Sequence, residues 1–121
     1  GNAFTSTVPA SWFTMTSLLY LDLSENSLSG TIPELVDSPV LSYLFLNNNS
    51  LSGTLPQTLP LSIMHLWLQY NDFSGEIPQD FGVGHENLTE LLLHGNDLSG
   101  EISNELCGEG TRLEADCLDE E

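Results

Sequence analysis

Apolar residues recur along this chain at fixed intervals, separated by polar ones. The unit over residues 18–40 places leucine or isoleucine at positions 18, 21, 23, 28 and 32. The same order begins again at Leu41, Ile63 and Leu88, and a degenerate unit begins at Leu113. A unit of this length cannot bury its own apolar side chains and must stack on its neighbours. The pattern therefore predicts a solenoid.

The alternation near the start of each unit predicts a short β-strand. In the unit over 18–40, Leu21 and Leu23 are expected to point into the core, whereas Tyr20, Asp22 and Ser24 alternate with them and point outward. Equivalent outward positions of successive units would then form a grid on one face of a sheet.

An asparagine follows each predicted strand at a fixed place. It is followed two residues later by leucine or phenylalanine and then by serine or threonine, at Asn2, Asn26, Asn49, Asn71 and Asn96. The spacings are 24, 23, 22 and 25 residues. A carboxamide carries both donors and an acceptor for turn backbone that would otherwise be buried unpaired. We therefore expect these side chains to form a ladder through the stack.

Glycine and proline recur with the same period. Four glycines lie four residues after the asparagine, at Gly30, Gly53, Gly75 and Gly100. A left-handed or crowded backbone there would exclude a side chain. Four prolines occupy one position of the unit, at Pro9, Pro33, Pro56 and Pro78. Each is expected to stop a helix from starting at that point.

The combined run LxxLxLxxNxLSGxIP resembles the plant-type leucine-rich repeat of receptor-kinase ectodomains and polygalacturonase-inhibiting proteins. The segments LSGTIP, LSGTLP, FSGEIP and LSGEIS carry it closely. Residues 106–117 resemble the ending of leucine-rich-repeat proteins in diatoms and related algae. The resemblance implies a right-handed solenoid of the α/β class, with short parallel strands on the concave face and a mostly irregular or 3-10 convex side. It also implies a secreted or cell-surface recognition protein.

The units divide one predicted domain, 1–121. Its parts are a partial repeat over 1–17, repeats over 18–40, 41–62, 63–87 and 88–112, and a degenerate end over 113–121. Because the chain opens inside a repeat without a polar cap, we expect it to be a fragment of a longer chain. No apolar stretch approaches the ~20 residues that cross a bilayer, so we expect no membrane insertion by this segment.

The charge balance is strongly acidic. Eighteen acidic residues face one basic residue, which gives a formal net charge of −17. Nucleic acid and anionic membranes are excluded as partners because both require basic contacts. Three explanations would each account for this negative charge. They are a solvated acidic exterior, a basic partner, and divalent cations held between stacked carboxylates (Asp72 above Asp97, Glu76 above Glu101). No calcium-loop spacing is present, so neither a metal site nor a cofactor is predicted.

Cysteines and glycosylation sequons fit an extracellular chain. Cys107 and Cys117 lie ten residues apart around the last repeat and are expected to form a disulfide. Two free thiols, or pairing with a cysteine outside this chain, are the alternatives. The sequons place N-glycosylation at Asn48 and Asn87.

The outward grid holds the candidate binding residues. Its first column is Tyr20, Tyr43, His65 and Glu90, its second is Asp22, Phe45, Trp67 and Leu92, and its third is Ser24, Asn47, Gln69 and His94. Phe45, Trp67 and Leu92 predict an exposed apolar patch, and such patches mark binding sites. The alternative is that these side chains cover one another or stiffen the sheet. The candidates are Tyr20, Tyr43, Phe45, His65, Trp67, Gln69, Leu92 and His94.

Catalysis is not predicted. The histidines, His65, His85 and His94, lie in no nucleophile or zinc-protease motif. We predict instead an extracellular recognition module whose concave face binds a protein, peptide or glycan. The acidic surface makes a basic ligand one of the candidates. The alternative function is a structural segment of an extracellular matrix, cell-wall or filament glycoprotein that associates end to end or laterally.

Overall fold

The computed structural model describes residues 6–35, 38–103 and, for the backbone alone, 112–114. A 3-10 helix lies at Ala10–Thr14. The strands of the described residues are β1 Tyr20–Asp22, β2 Ser29–Gly30, β3 Tyr43–Phe45, β4 Ser50–Gly53, β5 His65–Trp67, β6 Asp72–Glu76, β7 Glu90–Leu92, β8 Asp97–Ser99 and β9 Arg112–Glu114. None of the described helices is long or apolar enough to cross a membrane.

The first strand of every repeat joins one parallel sheet, in the order β1-β3-β5-β7-β9. Its register aligns Leu21 with Leu44, Leu44 with Leu66 and Leu66 with Leu91. The predicted leucine-rich-repeat solenoid with short parallel strands is therefore confirmed. In β9, Leu113 pairs with Leu91. Leu113 thus holds the mid-strand position, and the expectation that a unit begins at Leu113 is wrong.

A second parallel sheet, β2-β4-β6-β8, lines the other side of the stack. This second sheet is an addition to the predicted architecture. The residues that follow it in each repeat, 31–35, 54–64 and 77–89, contain no strand, which agrees with the predicted irregular or 3-10 side. The serine–glycine segments after the asparagines lie extended one repeat apart, so their backbones can pair; the amide of Ser50 donates to the carbonyl of Leu28 at 2.8 Å. These segments are rich in glycine, which is depleted in strands, and this explains why the sequence pattern does not predict the sheet.

The core lies between the two sheets. The inward leucines of the first sheet, Leu44, Leu66 and Leu91, are fully buried. Leu51 and Phe73 of the second sheet face them and are also fully buried in the same apolar cluster. Burial of a leucine or phenylalanine side chain contributes about 1.5–3 kcal/mol, so stacking supplies the stability that one repeat lacks.

The asparagine side chains bridge successive repeats. The Oδ1 atom of Asn71 accepts a hydrogen bond from the amide of Leu51 at 2.9 Å, and its Nδ2 atom donates to the carbonyl of Leu46 at 2.9 Å. Both partners belong to the preceding repeat. Asn49 and Asn96 make the same two kinds of contact. Asn26 donates to backbone within its own repeat. Asn2 lies outside the described residues.

Proline starts a turn in this fold instead of preventing one. Pro9 precedes the 3-10 helix, and its carbonyl accepts from the amide of Trp12 at 3.1 Å. Pro78 accepts from Phe81 in the same way. The expectation that these prolines stop a helix is therefore wrong for Pro9. The first turn does not use the missing proline N–H, and the fixed φ angle suits a helical start.

The carboxylate of Glu34 accepts hydrogen bonds from the segment that follows the proline of the next repeat. Glu34 accepts from the amides of Gln57 and Thr58 at 2.9 and 3.0 Å and from the Thr58 hydroxyl at 3.1 Å. Burial raises the pKa of the Glu34 carboxyl. The hydrogen bonds from Gln57 and Thr58 together lower it by more than burial raises it, so the pKa lies below the usual value.

We expect Glu34→Gln to lower the melting temperature at neutral pH. A group with a lowered folded-state pKa stabilises the fold above its unfolded pKa and loses that effect as the pH falls through its folded pKa. The difference from the wild type should therefore shrink in acid. Thermal melts from neutral to acidic pH would measure it, with Glu76→Gln, an exposed acid, as a control for the loss of one negative charge. Equal melts for the two variants at neutral pH would contradict the assignment.

Candidate binding surface

The register of the first sheet aligns the outward residues in columns. Tyr20 pairs with Tyr43, Tyr43 with His65, and His65 with Glu90. The next column runs through Asp22, Phe45, Trp67 and Leu92. These side chains alternate with the inward leucines and so lie on the face of the sheet opposite the core. We call this surface the outer face.

The outer face is less open than the sequence predicts. Phe45 is 8% exposed and Leu92 is 3% exposed, and Trp67 is half-buried. The expectation of an exposed apolar patch formed by these three residues is therefore wrong. Neighbouring rings cover Phe45, because its centroid lies 4.3 Å from that of Trp67 and 5.5 Å from that of Tyr20. For Phe45 the structure thus agrees with the alternative expectation, in which these side chains cover one another.

The aromatic rings form a continuous row across three strands. Tyr20 lies 5.7 Å from Tyr43 and 5.5 Å from Phe45, and Tyr43 lies 5.1 Å from His65, measured between ring centroids. We call Tyr20, Tyr43, Phe45, His65 and Trp67 the aromatic row. Its rim is open to solvent, because Tyr20 is 55% exposed while Tyr43 and His65 are half-buried.

Glu90 ends the aromatic row with a negative charge. The indole Nε1 of Trp67 donates to Glu90 Oε1 at 2.8 Å, which fixes the plane of the tryptophan ring. His65 Nδ1 lies 3.8 Å from the same oxygen. A protonated His65 would form an ion pair there. The carboxylate therefore orients the Trp67 ring and gives that end of the row a preference for positive charge.

The third column contains two buried carboxamides. Asn47 is 8% exposed and Gln69 is 9% exposed, so the expectation that Asn47 faces solvent is wrong. Neither Asn47 Oδ1 nor Gln69 Oε1 has a hydrogen-bond partner within the described part of the chain. Ser24 and His94, at the two ends of this column, are half-buried. Buried polar atoms without partners are rare in folded proteins and need an explanation.

Tyr70 is a functional candidate that the sequence analysis missed. It is 53% exposed, has a φ of +59°, and sets its ring edge-on to His94 at a centroid distance of 5.0 Å. A Cβ on Gly95 would collide with the tyrosine ring, so the ring lies close against that glycine. Equivalent positions before the asparagine also have positive φ, at Glu25, Asn48 and Gly95. A bulky residue in this conformation is uncommon and costs free energy.

The acidic residues do not stack as expected. Asp97 pairs with Ser74, and Glu76 pairs with Ser99. The second sheet is offset by two residues from sequence-equivalent positions, so the expected stacks of Asp72 on Asp97 and Glu76 on Glu101 are wrong. The described residues contain no group of three or more histidine, cysteine, aspartate or glutamate side chains placed to hold a metal ion.

The other sequence predictions concern modification. Asn48 and Asn87 are both exposed, and their glycosylation stays a prediction. Cys107 and Cys117 lie outside the described residues, so their disulfide also stays a prediction. His85 lies away from the outer face. Its Nε2 atom lies 3.0 Å from the carbonyl oxygen of Leu59.

Comparison with known families gives one consistent match. The Leucine rich repeat family matches residues 1–51, and a second model of the same repeat matches residues 62–83 and 87–108. No curated protein sequence matches the chain.

Solved plant receptors share this fold. A chain of the Arabidopsis receptor kinase HAESA, in complex with the peptide hormone IDA and the co-receptor SERK1, is 36% identical, with a TM-score of 0.79 over 93% of this chain and 20% of that one. The BIR2 ectodomain from Arabidopsis thaliana is 36% identical, with a TM-score of 0.77 over 90% of this chain and 60% of that one. The plant peptide hormone receptor RGFR1 in complex with RGF2 is 34% identical, with a TM-score of 0.81 over 93% and 20%. The chain thus spans less than two thirds of each relative.

Proposed function

The chain belongs to the leucine-rich repeat family, and from that premise we propose that it binds a peptide or an extended segment of a partner protein outside the cell, across the outer face of its five-stranded sheet. Two similar structures contain receptors in complex with peptide hormones, which supports a peptide ligand. These relatives are ectodomains or receptors of plants, which supports an extracellular site of action.

The observation that carries this proposal is the aromatic row. Most solvated sheet faces are polar, whereas this one presents linked rings with an open rim. Tyrosine and tryptophan are enriched among residues that dominate binding energy, because they offer large rigid contact areas. The row crosses strands β1, β3 and β5, so a ligand lying along it would contact several repeats at once.

Trp67 is the central anchor in this proposal. It is half-buried, it packs on Phe45, and its indole is held by Glu90. Its ring is therefore ordered before a ligand arrives, which reduces the entropy lost on binding. Phe45 lies beneath the surface and supports Trp67 more than it contacts a ligand.

We expect Trp67→Ala to weaken peptide binding by about thirtyfold, equivalent to about 2 kcal/mol. The probes are twelve-residue peptides selected from a random phage-displayed library on the immobilised chain, then synthesised and titrated calorimetrically. Thermal melts of the same variant should show a loss of about 1 kcal/mol, because only packing on Phe45 and one hydrogen bond are removed.

Two controls isolate the role of the ring. Leu61→Ala removes an apolar side chain that is 73% exposed and outside both sheets, and it should leave peptide affinity unchanged. Trp67→Phe keeps an aromatic ring but removes the indole donor, and it should keep most of the affinity. If Trp67→Ala melts far earlier yet binds the peptides as tightly as the wild type, the outer face is not the binding surface.

A glycan ligand and a structural role by end-to-end or lateral association stay predictions. Light scattering on the purified chain would test the second, because a structural segment is expected to self-associate.

A further inference from the structure

Two buried acceptors without a partner among the described residues lie in consecutive repeats beyond the aromatic row. Asn47 and Gln69 occupy consecutive repeats, and the amide of Asn48 donates to the backbone carbonyl of Gln69 at 3.0 Å. Their backbones therefore run side by side just beyond β3 and β5, about 5 Å apart. Both side chains are more than nine-tenths buried, and both have a carboxamide oxygen without a partner among the described residues.

The position of this pair connects it with the binding surface. Asn47 follows Phe45 by two residues, and Gln69 follows Trp67 by two residues. Residues two apart on an extended segment share a face, so the carboxamides lie on the outer face next to the aromatic row. Neither belongs to the apolar core cluster. The exposed ring of Tyr70 directly follows Gln69 in the chain.

In the free protein these two oxygens receive no hydrogen bond from the described residues. A buried acceptor without a donor loses its hydration and receives no hydrogen bond in return, so it destabilises the fold. Leucine or methionine would fill the same volume without that loss. Both oxygens are covered in the free chain, so a donor that arrives with a ligand would pair with them after the carboxamides rotate to meet it.

The surrounding charge indicates which donor fits. The chain has a formal net charge of −17, and the outward positions of β1 and β7 include the carboxylates of Asp22 and Glu90. A field of this sign attracts a cationic group and disfavours an anionic one. A guanidinium offers five donors in one plane, which can reach acceptors on two neighbouring strands. It is also less strongly hydrated than an ammonium and stacks on aromatic rings.

We propose that Asn47 and Gln69 form a subsite for an arginine side chain of the bound peptide, with Asn47 Oδ1 and Gln69 Oε1 accepting from the guanidinium. This inference rests on the proposed function, since it concerns the specificity of the same outer face. It identifies the ligand as an arginine-containing peptide.

The first test compares peptides on the wild-type chain. Phage-displayed random twelve-residue peptides selected on the chain should be enriched in arginine. In a selected peptide, replacement of that arginine by citrulline, which keeps the shape and removes the charge, should weaken calorimetric binding about tenfold or more. Lysine should restore only part of the affinity, because its ammonium does not stack or spread its donors in one plane.

The second test changes the protein. The double variant Asn47→Leu with Gln69→Met removes both acceptors at nearly constant volume, and it should melt at the same or a higher temperature than the wild type. The advantage of the arginine peptide over the citrulline peptide should then be smaller than on the wild type, and only the attraction of the acidic surface for the charge should remain. This cycle separates the arginine contact from general effects on the surface. The peptide comparison on the wild type remains decisive if the variant folds poorly.

The outcomes separate this inference from the proposed function. Selected peptides without arginine enrichment, or an equal citrulline effect on the wild type and the double variant, would overturn the subsite but leave peptide binding intact. Selected peptides in which lysine fully replaces arginine would overturn the preference for a guanidinium. Failure to select any peptide would overturn both proposals.

Discussion

Replacement of Asn71 by alanine is expected to lower the free energy of unfolding by about 3 kcal/mol. Asn71 is 7% exposed and lies in the middle of the ladder. Without the Asn71 side chain, the amide of Leu51 loses its acceptor and the carbonyl of Leu46 loses a donor. Both groups belong to the preceding repeat. Each buried backbone group left unpaired costs about 1–3 kcal/mol. Urea unfolding followed by circular dichroism would measure the loss.

Asn47→Ala is the matched control for this prediction. Asn47 has the same side chain and nearly the same burial, at 8% exposed, but its Oδ1 has no partner among the described residues. Its loss should change the free energy of unfolding by less than about 1 kcal/mol. Equal losses for the two variants would show that burial, and not the bridge between repeats, determines the contribution of an asparagine in this fold.

The parts of the fold that the sequence predicts are those with a strict period. The inward leucines repeat with the stack, so their strands, their mutual alignment and the face of each outward residue follow from the sequence alone. Asn71 is similar, because a carboxamide at one fixed place per repeat has few structural uses other than bridging turns. A strict sequence period determines which residue of one repeat stacks on which residue of the next, and a solenoid fold is defined by this stacking.

The parts that the sequence does not predict depend on contacts between repeats. Phe45 is outward by its alternation, yet it is 8% exposed because rings of both neighbouring strands cover it. Tyr70 looks like an ordinary turn residue, and only its positive φ and its ring against Gly95 set it apart. The second sheet does not follow from the sequence pattern because its strands pair with an offset of two residues and are rich in serine and glycine.

Replacement of Gly53 by alanine is expected to lower the free energy of unfolding by about 2–3 kcal/mol. Gly53 has a φ of +84°, which costs an L-residue about 1–2 kcal/mol. In addition, a Cβ at this position would lie 2.7 Å from the Cγ2 atom of Thr31 in the preceding repeat. Threonine is branched at Cβ and stiff at χ1, so it cannot move aside freely. The repeats would have to separate locally, and urea unfolding would report the loss.

Gly84 separates the two causes. It has a φ of +85° and no atom within 4 Å of an added Cβ, so Gly84→Ala should cost only the backbone term, about 1–2 kcal/mol. Thr31→Ser removes the crowding methyl group. It should recover about 1 kcal/mol in the Gly53→Ala background and nothing in the Gly84→Ala background. If Thr31→Ser rescues neither variant, or if both glycine variants lose the same stability, the contact between Gly53 and Thr31 does not limit how closely the repeats stack.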